Sequence, residues 1–330
     1  MPAYDIYGLG AALVDTEITV SDDDLTRFGV EKGVMTLVDE ARQQELLQHL
    51  EGHMCHASRA SGGSAANSII AAQYFGAQTF YSCKVADDEN GKFYLNDLAS
   101  AGVKFSAANG TAAGITGKCL VMITPDAERT MNTFLGISAT LSSDDIDENA
   151  LKASKYVYIE GYLVTSPTGR PAAIRLRELA KAAGVKVAVS LSDPAIVEYF
   201  YDDLHTMVGD QVDLLFCNKA EALTFTRTNN LEEAAAKLQG IARTFAITLG
   251  AEGALVFDGN RYSQVPAPQV AAVDTNGAGD MFAGAFLYGI TRGGWDYETT
   301  GRFATRAAAA VVSQFGPRLR PEQHKPLLVD

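Results

Sequence analysis

Short β-rich runs alternate with helical stretches along the whole chain. Tyr4–Gly8, Gln78–Ser82, Tyr156–Ile159, Val185–Ser190, Leu214–Cys217, Thr244–Leu249 and Ala254–Asp258 read as strands. Ser64–Phe75, Gly91–Ala101, Gly169–Ala183, Leu231–Gln239 and Ala278–Tyr288 read as helices. That rhythm builds strand-helix-strand units around a mostly parallel sheet. Leu13–Leu37 and Thr111–Ser138 break it. In the second, the alternation Gly117-Lys118-Cys119-Leu120-Val121-Met122-Ile123 predicts strands with one exposed face. Together they predict a small β-lid made by two insertions, about 13–37 and 111–138, on one domain spanning 1–330. No Pro- or Ser-rich linker, repeat or low-complexity tract divides the chain.

Composition narrows the classes. Apolar residues form 47% and charged residues 20% of 330, as in a folded globular protein. Forty acidic against 27 basic residues give a net charge of -13, which argues against nucleic acid or anionic membrane as partner. Any phosphate must be held by local devices such as helix-start N–H groups and a bound cation. Cys55, Cys83, Cys119 and Cys217 contain no Cys-x-x-Cys, so neither a zinc site nor a disulfide framework is expected. The opening MPAYDIYGLGAALVD lacks a basic n-region, and no apolar run has membrane-spanning length. A reducing, cytoplasmic setting fits.

The strongest local signal is Asp274-Thr275-Asn276-Gly277-Ala278-Gly279-Asp280, followed by the small, apolar run Met281–Tyr288. Gly277 and Gly279 let the backbone turn tightly into a helix with N–H groups facing out, around Ala278, as an anion hole. Asp280 then falls in the first turn, where the dipole favours its ionised form and it can accept a hydroxyl proton. In isolation the same residues also make an ordinary glycine turn before a helix. Ser61-Gly62-Gly63-Ser64-Ala65-Ala66-Asn67 is a second glycine pair opening a helix, and Asn67 can both donate to and accept from a polyhydroxylated ligand. Alone, it reads equally as packing.

In this order and separation the two motifs resemble the paired signatures of the PfkB, or ribokinase-like, carbohydrate and nucleoside kinase family. The likeness extends through Gln78–Cys83, Asp87-Asp88 with Gly91, Leu98–Val103, Asn218 with Glu221, and Thr248-Leu249-Gly250. It implies a Rossmann-like three-layer α/β/α sandwich with a small β-sheet lid, and an ATP-dependent phosphotransferase. Asp280 takes the catalytic base position and the backbone of Gly277, Ala278 and Gly279 the anion hole. Asp15, Gly63, Ser64 and Asn67 take the contacts to substrate hydroxyls. Asn218 and Glu221 resemble the element that organises Mg²⁺ and phosphates, commonly through water. Thr248, Gly250 and Gly253 resemble the nucleotide loop, and Thr305 falls where relatives often place an Asn beside ATP. Asp274, Asn276, Val311, Gln314 and Gly316 stand where some members hold a monovalent cation such as K⁺. Arg129 resembles an Arg brought over the phosphates on lid closure; as a bare residue it also reads as a strand-edge Arg. The resemblance leaves monomer and homodimer open.

Within the family, Asp274-Thr275-Asn276, Gly62-Gly63-Ser64, Arg129–Leu135 and Tyr158–Ser166 look most like the adenosine-kinase-type members, which implies the 5′-hydroxyl of a ribonucleoside as acceptor. Met35, Leu37, Phe134, Leu135 and Tyr162 would then flank a purine. Two positions depart from that pattern. Ala11 stands where Asn is usual, and Ala195 follows Leu191-Ser192-Asp193-Pro194 where an aromatic is common. Kinases of ribose, fructose derivatives or keto-deoxy acids therefore stay open, as does a non-catalytic nucleoside or sugar sensor. Gly8-Leu9-Gly10 lacks the third glycine of a dinucleotide fingerprint, there is no P-loop, and His53-Met54-Cys55-His56 stands alone rather than in a metal cluster.

Overall fold

The computed structural model describes residues 2–51, 58–106, 108–126 and 128–329. The His53–His56 run lies outside them. In chain order the strands are β1 (Tyr4–Leu9), β2 (Leu13–Thr19), β3 (Met35–Leu37), β4 (Ser58–Gly62), β5 (Thr79–Ser82), β6 (Gly117–Ile123), β7 (Arg129–Phe134), β8 (Ser154–Glu160), β9 (Lys186–Ser190), β10 (Val212–Asn218), β11 (Ala242–Thr248), β12 (Ala254–Phe257) and β13 (Tyr262–Val265).

Eight of them form one sheet in the order β13-β12-β11-β10-β9-β8-β1-β5. The pairs from β11 to β5 are parallel, and β12 and β13 add an antiparallel edge. Its strands are apolar on both faces because helices cover both. Side chains alternate between the two layers. Ile6, Tyr156, Tyr158, Leu214 and Phe216 join the core under helices Ser64–Phe75, Ala278–Tyr288 and Tyr297–Val312. Tyr7, Val157, Ile159, Leu215 and Cys217 join the opposite core, with Leu176 of Gly169–Ala183 and Phe225 of Lys219–Thr226. The result is the three-layer α/β/α sandwich that the family resemblance implies, built on the mostly parallel sheet expected from the alternation.

Helices Ser64–Phe75 and Ala278–Tyr288 pack closely because their facing residues are small. At Gly284 a Cβ would collide with the carbonyl of Ser68. That approach sets the starts of the two helices side by side, and with them the two glycine motifs.

The second sheet has the order β3-β7-β6-β2-β4. Cys119 and Met131 lie on its inner face with Leu13. On its outer face Ile18, Leu120 and Met122 pack with Leu25, Phe28, Leu46 and Leu50, which come with helices Asp22–Arg27 and Glu40–His49. The expected small β structure is therefore a two-layer unit with its own core. It also takes a fifth strand, β4, from outside the two insertions. Ser58-Arg59-Ala60-Ser61-Gly62 lacks apolar alternation and pairs with β2 alone, at the sheet edge.

Candidate active site

A cavity of about 660 Å³ opens between the two sheets, at the carboxyl ends of the parallel strands. Glu160, Ser190, Asn218 and Thr248, the last residues of β8 to β11, lie on its wall. This is the crevice where ligands of open α/β sheets bind.

At the head of helix Ala278–Tyr288, Gly277 adopts φ 71°, and a Cβ there would collide with the carbonyl of Pro317. Ala278 N–H donates to Thr275 O at 3.3 Å and Met281 N–H to Gly277 O at 2.7 Å. The N–H groups of Gly279 and Asp280, between them, meet no acceptor among the described residues. A Cβ built on Gly279 would meet nothing within 4 Å. An open space before unsatisfied helix-start donors is a cradle for an anion.

Asp280 lines the same cavity. Ser64 Oγ donates to its Oδ1 at 2.6 Å and Asn67 Nδ2 to its Oδ2 at 3.0 Å. Burial raises the Asp280 pKa to about 6, against the opposing effect of those two hydrogen bonds. At neutral pH the carboxylate is therefore mostly ionised and close to the range suited to a general base.

Two buried oxygens beside it meet no hydrogen-bond partner among the described residues, Oδ1 of Asp15 and Oδ1 of Asn67. Burial, then neighbouring Glu17, lifts Asp15 to about 7. Orphaned buried acceptors are costly in an empty site and are what ligand hydroxyls would satisfy. Gly63 completes this wall.

Asn218 and Glu221 form a reciprocal cap on helix Lys219–Thr226. Asn218 Oδ1 accepts from Glu221 N–H at 2.8 Å, and Glu221 Oε2 accepts from Asn218 N–H at 2.9 Å. Asn218 Nδ2 also donates to Glu221 Oε1 at 2.7 Å. Both line the cavity, and desolvation holds Glu221 near pKa 7. Among the described residues no three His, Cys, Asp or Glu side chains gather as a metal cage. A hydrated cation held through water by this pair is the arrangement the donors fit.

Other expected residues divide. Met35, Leu37, Leu135, Tyr162, Thr248, Gly250 and Asn276 line the cavity. Phe134 does not: strand alternation puts Met131, Thr133 and Leu135 on the inner side of this segment and Phe134 on the other. Gly253 and Thr305 are also off the wall; the Thr305 hydroxyl donates to Arg302 O at 2.9 Å. Asp274, Val311, Gln314 and Gly316 sit behind the glycine loop rather than on the cavity. The Gln314 side chain is engaged by Arg318 O at 3.2 Å and by Gln323 at 2.7 Å. Arg129 reaches the wall, but its guanidinium is buried and pairs with Asp274.

Glu160 is the main site residue that the sequence motifs missed. It is 1% exposed, accepts from Ala11 N–H at 2.5 Å and Ala65 N–H at 2.7 Å, and is raised by burial to about 7. It thereby ties the turn before β2 to the start of helix Ser64–Phe75. The available signal was an acidic residue closing the apolar run Tyr156–Ile159 just before Gly161. Ser192, at φ 72°, and Asp193 also line the cavity, and Asp193 caps helix Pro194–Tyr199 by accepting from Ala195 N–H at 2.7 Å.

Comparison with known proteins agrees with this geometry. Adenosine kinase of Saccharomyces cerevisiae is 31% identical over 340 aligned positions, covering 96% of each chain. The crystal structure of a probable sugar kinase from Rhizobium etli CFN 42 superposes with a TM-score of 0.91 at 32% identity, over 99% of each chain. Adenosine kinase from Sinorhizobium meliloti gives 0.89 at 33%, over 96% of each. The family described as pfkB family carbohydrate kinase matches residues 37–324. With the sandwich, the second sheet and the Gly-Ala-Gly-Asp helix start in place, this chain belongs to the pfkB family of carbohydrate kinases, phosphotransferases acting on an alcohol group of a nucleoside or sugar.

Proposed function

We propose that this chain transfers the γ-phosphoryl group of ATP to the 5′-hydroxyl of adenosine. One observation carries the reading: the Asp280 carboxylate, oriented by Ser64 and Asn67, adjoins the unsatisfied N–H groups of Gly279 and Asp280 in one cavity. A base next to an anion cradle is what attack by a hydroxyl on a phosphoryl group requires.

ATP with Mg²⁺, when bound, supplies the phosphoryl group and neutralises its oxygens. The chain supplies the rest. Asn218 and Glu221 would hold the hydrated cation, and Thr248 and Gly250 would line the nucleotide side. Asp15 Oδ1 and Asn67 Oδ1, both buried without partners among the described residues, accept hydrogen bonds from the ribose hydroxyls. Asp280 accepts the proton of the attacking hydroxyl, and the first-turn N–H groups face the charge that develops. The five-stranded sheet acts as a lid that excludes water. Met35, Leu37, Met131, Leu135, Tyr162 and Leu163 on the cavity wall offer an apolar slot for a purine face. The relatives named adenosine kinase support this acceptor.

The test is a panel of nucleosides and free sugars with Mg-ATP, followed by ADP release and by mass and ³¹P spectra of the product. Adenosine should give the highest kcat/KM, with phosphate on the 5′ oxygen. Turnover confined to ribose, fructose-type sugars or keto-deoxy acids would replace this reading with a sugar kinase. Tight binding with no ADP release from any acceptor would replace it with a sensor.

A further inference from the structure

Asp274 is fully buried, yet its carboxylate serves three segments. Oδ1 accepts from Asn276 N–H at 2.9 Å, which shapes the loop just before Gly277. Oδ2 accepts from Gly316 N–H at 2.8 Å, in the turn beyond helix Tyr297–Val312. The same oxygen receives the guanidinium of Arg129, which projects from the first residue of β7 in the second sheet. Glu17 of β2 stands 3.8 Å from that guanidinium.

A buried carboxylate needs an opposite charge, and among the described residues the one that reaches Asp274 comes from the lid. The lid strand therefore completes the charge balance of the loop that presents the anion cradle. Arg129 keeps two nitrogens in reserve. Its Nε and Nη1 are buried with no acceptor among the described residues, and the side chain lines the cavity. These donors can hold an anionic ligand group while Nη2 stays on Asp274, because a guanidinium presents its N–H groups in a rigid planar fork.

We propose that the Arg129–Asp274 pair couples the position of the lid to the shape of the 275–280 loop, with Asp274 as a positioning residue. Lid and loop then loosen or tighten together. Asp274 does not line the cavity itself and acts on the reaction through Asn276 and the helix start on one side and through Arg129 of the lid on the other, so its loss degrades the placement of the cradle. The kinetic part rests on the phosphotransfer reading above; the coupling itself does not.

Hydrogen exchange on the unliganded full chain tests the coupling without any substrate. Asp274→Asn should raise exchange about tenfold or more in both 129–134 and 275–280. Arg129→Gln should loosen the same two segments, and the double variant should be no looser than the worse single one. Arg129→Lys, which keeps the charge, should recover at least half of the protection in both and supplies a second arm if Asp274→Asn fails to fold. Loosening of only the segment that carries the substitution, or additive effects in the double variant, would overturn the proposal. In steady state, Asp274→Asn should lower kcat at least tenfold, whatever the accompanying change in the KM for the alcohol. An increase in that KM alone would overturn the positioning role even if the exchange result held.

Discussion

Asp280 meets two demands that pull in opposite directions. Burial raises its pKa to about 6, while the Ser64 and Asn67 donors favour its charge. As catalytic base it must be ionised, so kcat/KM should fall as pH drops through about 6. Asp280→Asn keeps the shape and removes the base; turnover should drop by about 10²–10⁴-fold in steady-state assays, with KM values little changed. Ser64→Ala gives a finer test. Its hydroxyl stabilises the charged form, so its loss should move the acid limb of the profile to higher pH. A limb that stays in place would assign it to another group. Glu160 and Asp15 are the rivals, since both are raised to about 7 and feel the Asp280 charge.

At the scale of elements, the two glycines of the helix start do different jobs, and alanine separates them. Gly277 has φ 71° and no room for a Cβ beside Pro317. Gly277→Ala should lower stability by roughly 1–3 kcal/mol, seen as a fall in Tm, and disrupt activity with it. Gly279 has open space, so Gly279→Ala should melt within a degree or so of the parent yet raise the KM for ATP, because its methyl group enters the cradle. These glycines were legible in the sequence because a tight turn into a helix leaves a local mark. The parallel core was legible too, since strands buried on both faces read as short apolar runs. What the sequence hid was set by distant partners. β4 has no apolar pattern and is placed by its pairing with the distant β2, and Phe134 carries an aromatic side chain whose orientation the register of β7 reveals. Glu160 lies in no motif because its role is to receive backbone N–H groups from two separate turns. Arg129 was visible as a lid residue, but its partner Asp274 lies 145 positions away.

Over the whole molecule, the cavity collects carboxylates that folding makes harder to ionise. Asp15, Glu160 and Glu221 are raised to about 7 and Asp280 to about 6, each chiefly by burial. A carboxyl whose pKa rises on folding binds its proton more tightly in the native state. Its contribution is fully present below the unfolded value near pH 4 and is lost as pH rises through the folded value. Surface groups such as Glu45 and Glu298 are shifted the other way by hydrogen bonds and ion pairs with arginines, and their contribution disappears as the medium becomes more acid. The unliganded chain should therefore be most stable at mildly acid pH and lose roughly 5 °C of Tm between pH 6 and pH 8. Calorimetry across that range checks it. Asp15→Asn should flatten the alkaline slope, because it removes one of the buried acids without adding volume. Activity should run against stability over the same interval, since the ionised Asp280 that catalysis needs is the form that burial opposes. A Tm that rises from pH 6 to pH 8 would mean that these carboxylates are solvated or paired in the free protein, and the cavity would then be far more open than its walls imply.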